Sequence, residues 1–180
     1  MSRASATGFG RELDPHPHRL RRPPRAGQQG ARLLHRLGRK GPHLDAANPA
    51  ASTAEVTIQV TSIDTGNGQR DEHLRTNDFF DAPTHPVITF DSTGVEVRGA
   101  DAFALVGDLT IKATTKSVTV EFEHTGMATD VYGNVRAGFE GRAVINRTDL
   151  GVTWNAPLEA GGVLVSDKIT LELDVSAIKA

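Results

Sequence analysis

From residue 53 onward, apolar and polar positions alternate with a period of two. Val56, Ile58 and Val60 alternate with Thr57, Gln59 and Thr61, the pattern of a strand with one buried face. Residues 64–68 (Asp-Thr-Gly-Asn-Gly) form a turn-rich loop, and residues 69–75 a short helical stretch. Phe79, Phe80, Pro83 and Pro86 lead into a second strand over residues 87–92. Gly94 separates it from residues 95–98, and Gly99, Ala100 and Asp101 make a tight turn. Phe103, Leu105, Leu109 and Ile111 share one parity and predict a third strand, which residues 113–116 turn back into Val118, Val120 and Phe122. A connection over residues 125–133, with Asp130 and Gly133 as turn residues, precedes Val135, Ala137, Phe139, Ala143 and Ile145. After Gly161 and Gly162, Ile169, Leu171, Leu173 and Val175 alternate with Thr170, Glu172 and Asp174.

Six or seven antiparallel strands with almost no helix predict an all-β sandwich or barrel. Parity fits both, because each strand carries one apolar face and one polar face in either architecture. Residues 1–45 do not share the pattern. Pro15, Pro17, Pro23, Pro24 and Pro42 interrupt them, and only residues 31–37 have room for two helical turns, which are marginal alone. They carry ten Lys/Arg against three Asp/Glu, a balance of +7, while residues 46–180 carry ten against nineteen, a balance of −9. The chain therefore divides near residue 45 into a basic arm, expected to be disordered or aberrant, and a β domain over residues 46–180.

A length of 180 residues suits one such domain. The absence of cysteine excludes disulfides, a cysteine nucleophile and cysteine-ligated metal centres. No stretch approaches the roughly 18 apolar residues of a membrane-spanning helix. Without a secretory pattern near residue 1, the chain as written is expected to stay in the cytoplasm.

Several motifs then fall in order. They are Ser62-Ile63-Asp64-Thr65-Gly66-Asn67, Arg70-Asp71-Glu72-His73-Leu74-Arg75 and Asp78-Phe79-Phe80-Asp81. Pro86-Val87-Ile88-Thr89-Phe90, Gly107-Asp108-Leu109-Thr110-Ile111 and Arg136-Ala137-Gly138-Phe139 follow. The series closes with Ile145-Asn146-Arg147, Gly151-Val152-Thr153-Trp154-Asn155 and Gly161-Gly162-Val163-Leu164-Val165. Over about residues 43–180 the chain resembles the YceI-like family of lipocalin-like polyisoprenoid-binding proteins. The resemblance implies an eight-stranded antiparallel barrel, often a homodimer, with an apolar channel for a polyprenyl quinone or polyprenyl phosphate. It implies lipid transport or storage, with no enzyme activity and no cofactor.

The resemblance lapses between Glu12-Leu13-Asp14-Pro15 and His43-Leu44-Asp45, both of which fit the family. Dropping one base from codons permitted for residues 28–40 spells Ser-Lys-Val-Arg-Gly-Ser-Phe-Thr-Asp-Trp-Glu-Gly, which is similar to the segment the family has there. Residues 16–42 are thus read as frame-shifted. Loss of the first two strands would leave two edges unpaired, one side of the channel open and the chain less stable.

The candidate ligand-lining set is Phe90, Phe103, Leu105, Leu109, Val120, Phe122, Phe139, Trp154 and Leu171. From the residues alone, core filling is the simpler role; the resemblance makes some of them lining. Arg70, Asp71 and His73 follow a glycine loop and either meet a headgroup at the channel mouth or cap a short helix. Arg147 is either a headgroup partner or, preferably, a structural ion-pair residue. No serine stands in a nucleophile-elbow pattern, and His16, His18, His35 and His43 do not make a convincing metal set. Asn146-Arg147-Thr148 is a chance sequon at a strand end. Two alternatives remain: nucleic-acid or anionic-partner binding through the arginine-rich arm, whose only aromatic is Phe9, and a structural module with a solid core. Without aromatics for base stacking, nucleic acid is not favoured.

Overall fold

Each alternating run becomes a strand. The computed structural model describes residues 2–8, 30–37, 52–159 and 162–178, the first two stretches as backbone. The strands are β1 (Ser2–Gly8), β2 (Gly30–Leu37), β3 (Glu55–Gln59), β4 (Val87–Val97), β5 (Ala102–Ile111), β6 (Thr114–Thr129), β7 (Val135–Asn146) and β8 (Lys168–Ile178). One α-helix, α1 (Gly68–Arg75), follows β3. Strands β3 to β8 pair antiparallel, each with the next, and curl into a half-barrel. Its two edges, β3 and β8, are bridged by β2 and β1, so the ring closes.

Strand β2 runs antiparallel to β3, whereas β1 runs parallel to both β2 and β8. An antiparallel barrel is therefore the rule only from β2 to β8. Residues 31–37, read as two marginal helical turns, are strand instead: His35, Arg36 and Leu37 pair with Ile58, Thr57 and Val56, and ladder bonds outweigh so short a helix. Both stretches belong to the segment expected to be a disordered arm, where they meet edges that would otherwise stand unpaired. The rest of that segment, with His16, His18 and His43, lies outside the described residues, as do the side chains on which arm-mediated nucleic-acid binding would depend.

Strand β6 also runs on through residues 125–129, which the turn signals suggested were a connection. A bulge between His124 and Gly126, with Gly126 at φ 123°, lets it continue. The β6–β7 turn is held by Asp130, whose Oδ1 accepts from the backbone N–H of Tyr132 and of Asn134 at 2.9 Å each. Its Oδ2 accepts from Asn134 Nδ2 at 3.0 Å and Arg136 Nε at 2.9 Å. The Asn134 side chain foremost, with the Asn134 backbone N–H and Arg136, holds the Asp130 carboxyl well below its ordinary value of 3.8. A lowered carboxyl stabilises the fold above its unfolded value and loses that contribution as pH falls through the folded one. Stability followed from neutral pH downward is therefore expected to decline below about pH 4, and Asp130→Ala to show a smaller decline; equal declines in thermal melts would refute the assignment.

Two apolar clusters divide the core along the barrel axis. One end is plugged by α1 and the loops around it: Val60, Ile63, Phe79, Leu150 and Val152 are buried there against Ile88, Leu109, Ile111 and Ile145 of the strands. The second cluster, Leu105, Val120, Phe122 and Ala143, sits toward the β4–β5 and β6–β7 turns. Phe90 and Leu171 touch both clusters.

Candidate functional site: an apolar barrel interior

Register stacks the inward residues of the second cluster in levels. Nearest the rim, Phe139 pairs with His124 on one side and Val175 on the other. The next level runs Phe103, Phe122, Gly141 and Leu173 across four neighbouring strands. Below it, Leu105 pairs with Val95 and Val120, and Ala143 with Leu171. Phe103 stacks on Phe122 at 5.3 Å and meets Phe139 edge-on at 5.8 Å, while His124 tilts against Phe139 at 5.4 Å.

Burial is uneven within the second cluster. Leu105, Val120, Phe122 and Ala143 are buried, yet Phe103, Phe139, Leu171, Leu173 and Val175, facing the same interior, are only half-buried. The plug cluster is bordered in the same way by half-buried Ile58, Trp154 and Ile169. The rim beyond the second cluster carries apolar side chains too: Val97, Met127, Val131, Tyr132 and Ile178 are each at least half exposed, and all belong to the strand ends and turn at this end. Charge is interspersed among them: Asp101 Oδ1 lies 3.6 Å from His124 Nδ1, and the Arg98–Glu96 and Arg136–Asp130 pairs stand at the same end.

The candidate set splits accordingly. Phe103, Leu105, Val120, Phe122 and Phe139 come together in the second cluster, Phe90 and Leu171 span the middle, and Leu109 and Trp154 belong to the plug. The polar candidates sit on α1 at the plugged end, away from that rim. Arg70 donates from Nε and Nη2 to Thr65 Oγ1 and O at 2.8 and 2.9 Å. Asp71 is buried and accepts from the Thr65 hydroxyl at 2.6 Å and its N–H at 2.9 Å. The Thr65 hydroxyl, against opposing burial, holds the Asp71 carboxyl below its ordinary value, with Arg75 and Arg70 adding to the effect. His73 Nε2 lies 2.9 Å from Asp78 Oδ2, and its ring meets Phe79 and Trp154 edge-on at 5.1 and 4.8 Å. These three residues organise the plug: their polar atoms are engaged with the loop before α1 and the turn after it.

Arg147 is buried and spends all five donors. Nε donates to Ser166 O, Nη1 to Val152 O and Trp154 O, and Nη2 to Val165 O and Asp167 Oδ1, at 2.7 to 3.3 Å. Its role is structural, tying the two loop segments between β7 and β8 together.

Sequence reasoning omitted Leu173 and Val175, although both share the parity of Leu171 and could have been included. It also omitted His124, one step of two beyond Phe122, and the inward glycines Gly107 and Gly141. Isolated glycine within a strand is the signal for the last two. Among the described residues there is no group of three or more His, Asp or Glu placed to hold a metal, and no helix long and apolar enough to cross a membrane.

Fold and interior together define a small β-barrel with α1 and its loops packed at one end and a second apolar cluster of inward side chains toward the other. The profile of the YceI-like domain matches residues 38–177, and the chain belongs to that family. A UPF0312 protein of Azotobacter vinelandii is 39% identical over 108 residues, 60% of this chain and 56% of that protein. Protein YceI of Escherichia coli is 43% identical over 108 residues with the same two coverages. The chain thus matches little more than half the length of these curated relatives. Among solved structures, a mutant YceI protein of Campylobacter jejuni with a monobromobimane guest superposes with a TM-score of 0.73 at 25% identity, covering 96% of this chain and 99% of that one. Burkholderia cenocepacia BcnA shares the fold, with a TM-score of 0.64 at 24% identity over 81% of this chain and 84% of that one.

Proposed function

We propose that this chain binds one long apolar lipid of the polyisoprenoid class inside the barrel and serves its transport or storage rather than its chemical conversion. The observation that carries the reading is the set of inward yet half-buried apolar residues of the second cluster toward the β4–β5 and β6–β7 turns, Phe103, Phe139, Leu173 and Val175. A chain threaded among them would bury apolar surface at about 25 cal/mol per Å² before ordering costs. Family membership supports the same reading, since the resemblance implies a polyprenyl quinone or phosphate as the ligand and a homodimer as the assembly. The polar groups on α1 are internally engaged, so affinity rests on the chain more than on its head.

Incubation with a long-chain polyprenyl quinone, followed by gel filtration, is the test. Saturable co-elution at one quinone per chain is expected. Leu105→Glu, which sets a charge in the lumen at a buried position, is expected to abolish co-elution. Failure of the wild-type chain to retain any quinone would overturn the reading.

A further inference from the structure

Two glycines occupy the inner wall where a strand would ordinarily carry a side chain. A Cβ built on Gly141 would stand 2.4, 2.7 and 2.9 Å from Cε1, Cζ and Cδ1 of Phe122. One built on Gly107 would stand 2.5 and 2.8 Å from Cζ and Cε2 of Phe90, and 2.6 Å from the carbonyl oxygen of Asp91. Neither glycine has the positive φ that would require glycine for backbone reasons. Interior strand glycine is otherwise unfavourable. What both positions share is an aromatic ring from the neighbouring strand occupying the space of the missing Cβ.

We infer that Gly141, seconded by Gly107, sets the bore of the lumen and fits it to methyl-branched chains over straight ones. This rests on the lipid-binding reading above. The ring of Phe122 leans across the wall onto β7 instead of standing toward the barrel axis. On its other flank it stacks on Phe103 at 5.3 Å with only 10° between the planes. A Cβ on Gly141 projects from the wall into the ring's place, so an added methyl would push the ring off β7 toward the barrel axis. At Gly107 a methyl would also strike backbone, so Gly141 is the cleaner lever. An isoprenoid carries a methyl on every fourth chain carbon and is thicker than an unbranched chain, so narrowing the bore penalises it first.

The experiment compares geranylgeraniol with icosanol, two primary alcohols of equal carbon number, one branched and one straight. Gly141→Ala is expected to weaken geranylgeraniol binding about tenfold or more and icosanol less than about threefold, the discrimination typical of a methyl group in an apolar site. Gly141→Ala combined with Phe122→Leu removes the ring that is displaced and is expected to restore geranylgeraniol to within about threefold of Phe122→Leu alone. If Gly141→Ala does not fold, Leu173→Phe narrows the same level from β8 and is expected to discriminate in the same direction. Equal weakening of both alcohols, or of neither, overturns the inference while leaving lipid binding intact. Wild-type protein that takes up neither alcohol and no polyprenyl quinone overturns the lipid reading itself, and this inference with it.

Discussion

Arg147→Ala is expected to lower the stability of the fold by about 3–5 kcal/mol, among the larger effects a single residue here can have. The guanidinium supplies the donors for the carbonyls of Val152, Trp154, Val165 and Ser166 as well as for Asp167. Alanine leaves several partly buried acceptors without that donor, each at about 1–3 kcal/mol. For a chain of this size the melting temperature should fall by about 10 °C. Lysine should recover little, because an ammonium cannot reproduce the planar fork. Asp167 is the contrasting control. Its side chain is 59% exposed, so Asp167→Asn should change stability by less than about 1 kcal/mol. Equal effects from Arg147→Ala and Asp167→Asn in thermal unfolding would mean that the ion pair, not the carbonyl set, is what matters.

Leu150→Ala and Phe103→Ala should separate the plug from the lumen. Leu150 is 1% exposed within the plug cluster, and its truncation is expected to cost about 3 kcal/mol or more through lost burial and a residual cavity. Phe103 is half-buried on the inner wall, and on the proposed lipid-binding reading it borders open space, so the loss should stay below the about 3–5 kcal/mol of a filled-core aromatic. Binding should show the reverse order, with Phe103→Ala weakening lipid retention and Leu150→Ala leaving it intact in protein that remains folded. Denaturant unfolding and co-elution with polyprenyl quinone measure the two quantities. A core packed solid throughout would instead make Phe103→Ala as destabilising as Leu150→Ala.

Six of the eight strands were legible as period-two runs, because one face of each is buried and the other is wet. The inward set at Phe103, Leu105, Val120 and Phe122 followed from parity alone. The division of the interior did not. Whether Leu109 and Trp154 fill a plug or line a lumen depends on where α1 and the β7–β8 connection fold, which is long-range information. Arg70 and His73 stayed open between two roles for a related reason: a polar cluster after a glycine loop looks the same in sequence whether it faces a ligand or clamps the loop. Their contacts with Thr65 and Asp78 are hydrogen bonds that spacing does not reveal. Gly141 and Phe122 lie nineteen positions apart, and only the register of β6 against β7 brings them together. Strands β1 and β2 lacked periodicity and were unreadable; backbone pairing with existing edges requires no side-chain pattern.

Mass spectrometry of an organic extract from the chain, purified without detergent, tests the central claim most directly. A polyprenyl species near one per chain is the result expected of a barrel with an apolar lumen at one end. An empty extract from folded protein that also retains no added polyprenyl quinone would contradict it and leave the inward, half-buried residues around Phe103 and Leu173 without the proposed role.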